Sequence, residues 1–253
     1  MDKKDFWEYQ FSVRSFDVDQ NKEITLTSIS EYLQEVAGDH ANTMGFGYRQ
    51  VVLEQMVWIL GGIKIEVERY PLWEEEVTIK TWVVENKRFV SRRDFQWLDQ
   101  KGNILLNAST NWILFHTERR RPVAIDSMNF EVRLHPEQNA TSSEVSNIRA
   151  KFEDSENSQY TVRYSDLDMV GHMNNTKYIQ LLLDHYSPDF HNNHKVKSLD
   201  INFKNEARYG DILELRKNRV DLNSDLIELK RKEDGKVNCI AQLEWLRNSL
   251  LIV

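Results

Sequence analysis

The sequence predicts an α+β protein made of two tandem copies of one unit, each an antiparallel sheet wrapped around a central helix. Three observations carry this. Val13-Arg-Ser-Phe-Asp-Val-Asp19 matches Val162-Arg-Tyr-Ser-Asp-Leu-Asp168, so one segment recurs along the chain. A helical pattern follows each copy of it, at Tyr32-Leu-Gln34 and at Tyr178-Ile-Gln180. Alternating, strand-like runs follow each helix. A chain of 253 residues has room for two cores of modest size.

The elements follow in order. Ser28-x-x-Glu31 has the form of a capping box and opens the first helix, which Gly45 stops. Ile63 to Val67 and Val77 to Val83 alternate as strands. Residues 134–159 are polar and lack apolar periodicity, so they read as a surface linker between domains at 1–133 and 160–253. The second helix starts near Asn174 and Asn175 and ends before Pro188. Ile179, Leu182, Leu183 and Tyr186 recur three and four residues apart, giving that helix one buried face. Leu199 to Phe203, Ile212 to Leu215 and Val237 to Leu243 read as further strands. The single cysteine, Cys239, lies in the last of these and reads as a buried packing thiol rather than a nucleophile.

Composition excludes several functions. The hydrophobic fraction of 40%, with seven Trp and eleven Phe, is that of a folded protein. The start has no cationic stretch leading into an apolar run, and no apolar segment approaches a membrane span, so a cytoplasmic protein is expected. A net charge of -7 argues against general nucleic-acid binding, which needs a concentrated basic surface. With nine glycines and no GxSxG, phosphate-cradling loop, HExxH or paired CxxC, the serine-hydrolase, nucleotide and metal readings lose their motifs. No cofactor is expected.

The densest polar cluster runs from Asp166 through Asp168, Gly171 and His172 to Asn174 and Asn175, where a strand gives way to the second helix. Free amides at a helix N-terminus can stabilise a developing oxyanion. Asp168 can activate a water or attack directly, and His172 can position or share the proton. Such parts suit acyl transfer. A second reading stays open, in which the Asn pair caps the helix, the Asp residues favour its dipole and Gly171 serves a tight turn.

At these residues the chain resembles the acyl-acyl carrier protein (ACP) thioesterases, over nearly its whole length. The first half carries Arg69-Tyr-Pro-Leu-Trp73, Thr81-Trp82-Val83 with Arg92-Arg93-Asp94-Phe95, and Ala108-Ser109 through Trp112 to Arg120-Arg121. The second carries Ser165-Asp-Leu-Asp168, His172-x-Asn174-Asn175-x-x-Tyr178 and Phe203-Lys-Asn-Glu206. The resemblance implies a double hotdog fold and hydrolysis of fatty acyl-ACP, which terminates fatty-acid synthesis. It implies that Asp168, His172 and Glu206 form the catalytic group, with an oxyanion-binding amide near Asn175. Glu206 comes from the resemblance alone. The plant enzymes carry an asparagine two residues after the aspartate that Asp168 matches, whereas Val170 stands here. The first copy lacks the site: Gln20-Asn21-Lys22-Glu23 follows Asp19, and Tyr70 falls roughly at the place of Glu206, so that copy is expected to shape an acyl pocket.

The implied partner is ACP with a phosphopantetheine-linked acyl chain. Lys87-Arg88, Arg92-Arg93 and Arg119-Arg120-Arg121 are candidate docking cations, with a solvated charge cluster as the open alternative. His40 reads as a structural histidine rather than a second acid-base group. Met56 to Leu60 reads as core, part of which could line the acyl pocket. Hydrolysis of acyl-CoA and non-catalytic acyl binding are the alternative functions, and Val170 is the feature favouring the latter. A monomer or a homodimer is expected, because tandem hotdog units mimic a dimer of single ones.

Overall fold

The computed structural model describes residues 5–128, 130, 132–152 and 156–247. The chain divides into two compact units between Val145 and Ser146. The stretch expected as a linker is shared between them. In unit 1, Ala140 N donates to Asp94 Oδ2 at 2.8 Å and Ser142 bonds Glu66. In unit 2, Ser146 bonds Asp200, and Ile148 N donates to Asn202 Oδ1 at 2.8 Å.

Unit 1 runs β1 (Trp7–Ser12), α1 (Leu26–Met44), α2 (Tyr48–Val51), β2 (Met56–Val67), β3 (Glu76–Lys87), β4 (Val90–Leu98), β5 (Ile104–His116) and β6 (Arg121–Pro122). Its strands pair antiparallel in the order β1-β3-β4-β5-β2, with β6 on β5. In β1 the aromatic residues Trp7, Tyr9 and Phe11 alternate with exposed Glu8, Gln10 and Ser12, the period of a half-buried strand. Phe11 stacks on Tyr32 of α1 at 4.1 Å, and Tyr32 meets Trp97 of β4 edge-on at 5.7 Å, so the helix packs against the sheet through aromatic rings. Buried Ile29, Leu33, Val36, Ala37, His40, Ala41 and Met44 form the inward stripe of α1. The helix begins earlier than its capping signal suggests. Thr25 is the N-cap, its hydroxyl accepting from Ser28 N at 3.1 Å, so Ser28 lies inside the first turn. Gly45 ends the helix at φ 84°, as expected. Met56 packs with Val51 and Leu114 in the core.

Unit 2 runs β7 (Glu156–Thr161), α3 (Asn175–Asp184), α4 (Pro188–Asn193), β8 (His194–Phe203), β9 (Ile212–Arg219), β10 (Ser224–Arg231) and β11 (Val237–Arg247). The strand order is β8-β11-β10-β9-β7, all antiparallel. Tyr178, Ile179 and Leu182 are the buried face of α3, and Leu183 is half-buried. Pro188 opens α4 in its first turn, where a missing amide costs nothing. Tyr186, beyond the end of α3, donates to the buried Asp225 at 2.7 Å, as does Trp245 Nε1 at 3.0 Å. Cys239 is fully buried in β11, and burial pushes its thiol well above the ordinary range, which makes it inert. Among the described residues no helix is long and apolar enough to cross a membrane.

Candidate active site

A tight reversal from Leu167 to Met173 joins the turn Tyr164–Asp166 to α3. Leu167 and Met173 bridge at its base. Asp168 N donates to His172 O at 2.7 Å, and Gly171 N to Asp168 O at 3.1 Å. Gly171 takes φ 81°, a left-handed conformation that glycine adopts without a Cβ penalty. Asp168 Oδ1 accepts from the amides of Val170 and His172, both at 3.0 Å. Asp168 Oδ2 has no hydrogen-bond partner among the described residues, so one carboxylate oxygen braces the loop and the other is left free of it.

The end of this loop is zipped to the segment after β8: Met173 N donates to Ala207 O at 2.8 Å. That bond sets Glu206 against His172. The imidazole Nε2 lies 3.2 Å from Glu206 Oε2 and 3.5 Å from Arg208 Nη2. One ring nitrogen cannot donate to a carboxylate and accept from a guanidinium at once. The shorter, charge-assisted contact favours Nε2–H toward Glu206, which leaves Nδ1 as an acceptor. Arg208 has no signature in the spacing of the sequence, and only the fold shows it beside the imidazole.

Asn174 and Asn175 have different duties. Asn174 is the N-cap of α3: its Oδ1 accepts from Thr176 N at 3.0 Å and from Thr176 Oγ1 at 3.1 Å, and its own amide donates to Asp166 O. Asn175 is the first helical residue, and its amide has no acceptor among the described residues. It is therefore the free donor at a positive helix end. Asp166 belongs to the frame. It is buried and accepts from Tyr160 Oη and Arg163 N, both at 2.7 Å.

The first copy repeats the loop almost bond for bond. Asp19 Oδ1 accepts from the amides of Asn21 and Glu23, and Asp19 N donates to Glu23 O at 2.8 Å. Val18 bridges Ile24, and Lys22 takes φ 62° where the second copy has Gly171. Ile24 N donates to Pro71 O as Met173 N does to Ala207 O, which makes Tyr70 the counterpart of Glu206 and Glu23 that of His172. The duplicated fold thus supplies the braced aspartate, and only the second copy adds an imidazole with a carboxylate partner.

Two expected docking residues are corrected. Arg92 and Arg93 are 5% and 4% exposed, so neither can meet a protein partner. Neighbours on a strand face opposite ways, and here both faces of β4 are covered. Arg92 is held by Asp94 and Ser109 Oγ, at 3.0 to 3.1 Å. Arg93 Nη1 donates to His40 Nδ1 at 2.7 Å, beneath α1, and to Thr81 Oγ1. Burial lowers the Arg93 guanidinium to about 10. His40 is fully buried and accepts this bond while stacked on Trp7, a structural role. Arg120 and Arg121 are exposed.

The fold makes this a tandem hotdog protein. The sequence matches the acyl-ACP thioesterase N-terminal domain over residues 4–131 and the acyl-ACP thioesterase C-terminal domain over residues 149–247. The chain belongs to the acyl-ACP thioesterase family. It is 29% identical over 227 residues to oleoyl-acyl carrier protein thioesterase 2, chloroplastic, of Arabidopsis thaliana, covering 81% of this chain and 60% of that protein. It is 27% identical over 252 residues to a palmitoyl-acyl carrier protein thioesterase, chloroplastic, of Cuphea hookeriana, covering 93% and 61%. The chain thus spans about three-fifths of the length of these relatives. An acyl-ACP thioesterase from Bacteroides thetaiotaomicron superposes with a TM-score of 0.89 at 24% identity, over 97% of this chain and 100% of that one. The 12:0-ACP thioesterase from Umbellularia californica gives 0.83 at 22%, over 96% and 98%.

Proposed function

We propose that this chain hydrolyses fatty acyl thioesters carried on ACP, releasing free fatty acid and carrier thiol and so terminating fatty-acid synthesis in the cytoplasm. The observation that carries the proposal is the His172–Glu206 pair at 3.2 Å beside the braced Asp168, present in one copy of a duplicated loop and missing from the other. Family membership supports the substrate class.

The chemistry follows from the free atoms. Asp168 Oδ2 takes a proton from a water as the water oxygen attacks the thioester carbonyl carbon. The carbonyl oxygen becomes an oxyanion, and the Asn175 amide at the start of α3 is the donor that stabilises it. The intermediate collapses, the C–S bond breaks, and the proton passes by way of His172 to the leaving sulfur. Glu206 holds the ring for that transfer. Asp168, His172 and Glu206 are thereby assigned to catalysis, Asn175 to the oxyanion, and Asn174 to capping the helix that presents it. Val170 supplies no side-chain hydrogen bond, so the loop amides are assigned the ordering of Asp168. Unit 1, lacking the pair, is assigned the acyl pocket, and its exposed Arg120 and Arg121 are kept as carrier-docking cations.

The test is thiol release from matched acyl-ACP and acyl-CoA substrates. A kcat/KM at least about tenfold higher on the carrier supports the proposal. Preference for CoA replaces the carrier assignment, and absence of turnover on both, by a folded chain, removes the hydrolase reading.

A further inference from the structure

Along the loop that carries His172 and the segment that carries Glu206, the second copy exposes large apolar side chains, three of them at positions where the first copy has polar ones and exposes Phe16 and Trp73 instead. Tyr164 is 83% exposed, Met169 84%, Val170 54% and Tyr209 70%. By the repeat, the first copy places Ser15, Gln20 and Asn21 where the second places Tyr164, Met169 and Val170. Since Gln20 and Asn21 sit in a loop of the same hydrogen-bond pattern, folding does not require Met169 and Val170. Exposed apolar side chains clustered on one rim mark a contact surface.

The aromatic residues tell the same story. Glu74 N donates to Val13 O as Gly210 N does to Val162 O, so Trp73 is the counterpart of Tyr209. In the first copy Trp73 has Lys22 Nζ over its ring at 5.6 Å, and Phe16 has the Arg14 guanidinium at 4.3 Å. In the second copy, among the described residues, no ring or cation covers Tyr164 or Tyr209. Both line an open groove of about 650 Å³ with Tyr160 and Arg163.

Charge changes in parallel. Arg14 is spent on Asp17, at 2.9 Å. Its counterpart Arg163 makes no ion pair among the described residues, although Asp166 takes the same amide and tyrosine donors as Asp17; its guanidinium lies over the Tyr160 ring at 5.5 Å instead. The guanidinium of Arg208, standing where the first copy has Leu72, likewise meets no carboxylate among the described residues, while its amide donates to Asp211. Four exposed apolar side chains and two guanidiniums without a carboxylate therefore lie on the His172 loop and the two segments that flank it.

The geometry points to this rim as the docking surface for the carrier protein itself: a folded partner presenting a small apolar patch between carboxylates, seated so that its pantetheine arm enters beside His172. The inference rests on the proposed function for the identity of the partner. The apolar contacts hold the carrier, and the guanidiniums orient it.

The test uses the full chain with Tyr164→Ser and Met169→Gln combined, the residues the twin loop already carries. Binding of fluorescently labelled holo-ACP is read by anisotropy, and hydrolysis is read separately on an acyl-N-acetylcysteamine thioester, which has no protein part. The expected result is carrier binding weakened at least about tenfold, with turnover of the small thioester within about twofold of wild type. Unchanged carrier binding overturns the inference, as does absence of carrier binding by the wild type. An equal loss on the small thioester also overturns it, because the side chains would then touch the acyl-pantetheine rather than the carrier. A wild-type chain that binds holo-ACP through this rim yet hydrolyses nothing defeats the proposed function and leaves the docking surface standing.

Discussion

Asp19 and Asp168 perform one structural task in two copies of a fold. Each gives a single carboxylate oxygen to the amides two and four residues ahead, at 2.8 and 3.2 Å for Asp19 and at 3.0 Å twice for Asp168. The brace therefore forms without the imidazole and carboxylate pair of the second copy. What separates the copies is the residue at the end of the loop, Glu23 in one and His172 in the other, and its partner across the zipped strands.

Glu206→Gln keeps the size and one acceptor beside His172 but removes the charge. Turnover of acyl-ACP should fall about tenfold to a hundredfold in kcat with KM little changed, measured by thiol release. Pairing it with His172→Ala should add far less than the product of the two losses, since the pair acts as a unit. Losses that multiply would separate the two residues.

Arg120 and Arg121 are exposed, with Arg120 held in a left-handed turn at φ 47°. Reversing both to Glu should raise KM for acyl-ACP at low salt, and the difference should shrink as salt is added, because contacts of this kind are screened. An unchanged KM removes them from the docking surface.

Arg92 is predicted to matter for stability and not for docking. Arg92→Ala would leave the fully buried Asp94 without its bidentate partner, a loss of about 3 kcal/mol in denaturant unfolding. The refolded variant should bind carrier as wild type does.

Asp17 gives unit 1 an acid sensitivity. Burial by itself pushes its carboxyl up, but hydrogen bonds from the Arg14 guanidinium and amide and from Tyr32 outweigh it and hold the group below its ordinary value of 3.8. A carboxyl depressed in the folded state binds its proton more tightly when unfolded, so protonation favours unfolding. Its contribution is present above the unfolded value and is lost as pH falls through the folded one. Denaturation midpoints of the wild type should therefore drop more steeply below about pH 4 than those of Asp17→Asn. Parallel curves would contradict this.

Much of this was legible in the sequence, for reasons that differ by residue. The duplication showed because Val-Arg-x-x-Asp-x-Asp serves the same frame twice: the buried Asp17 and Asp166 take their amide and tyrosine donors, and Asp19 and Asp168 brace the loops. Asp168, His172 and the helix start showed because they are contiguous. Glu206 reaches His172 only through the bond from Met173 to Ala207, a tertiary contact that no local spacing encodes. Arg92 and Arg93 misled because paired cations on a strand suggest one outward face, while α1 covers one side of β4 and the side chains of Asp94 and Ser109 engage the other.

The most direct test of the central claim is thiol release from acyl-ACP by Asp168→Asn beside Asp19→Asn. Asparagine Oδ1 can still accept both loop amides, so each variant keeps its brace and only the free carboxylate oxygen is lost. Asp168→Asn should lose at least about a hundredfold in kcat/KM, roughly 2.7 kcal/mol of barrier, while Asp19→Asn stays near wild type. Equal activity of the two variants would show that Asp168, like its twin, only holds a loop.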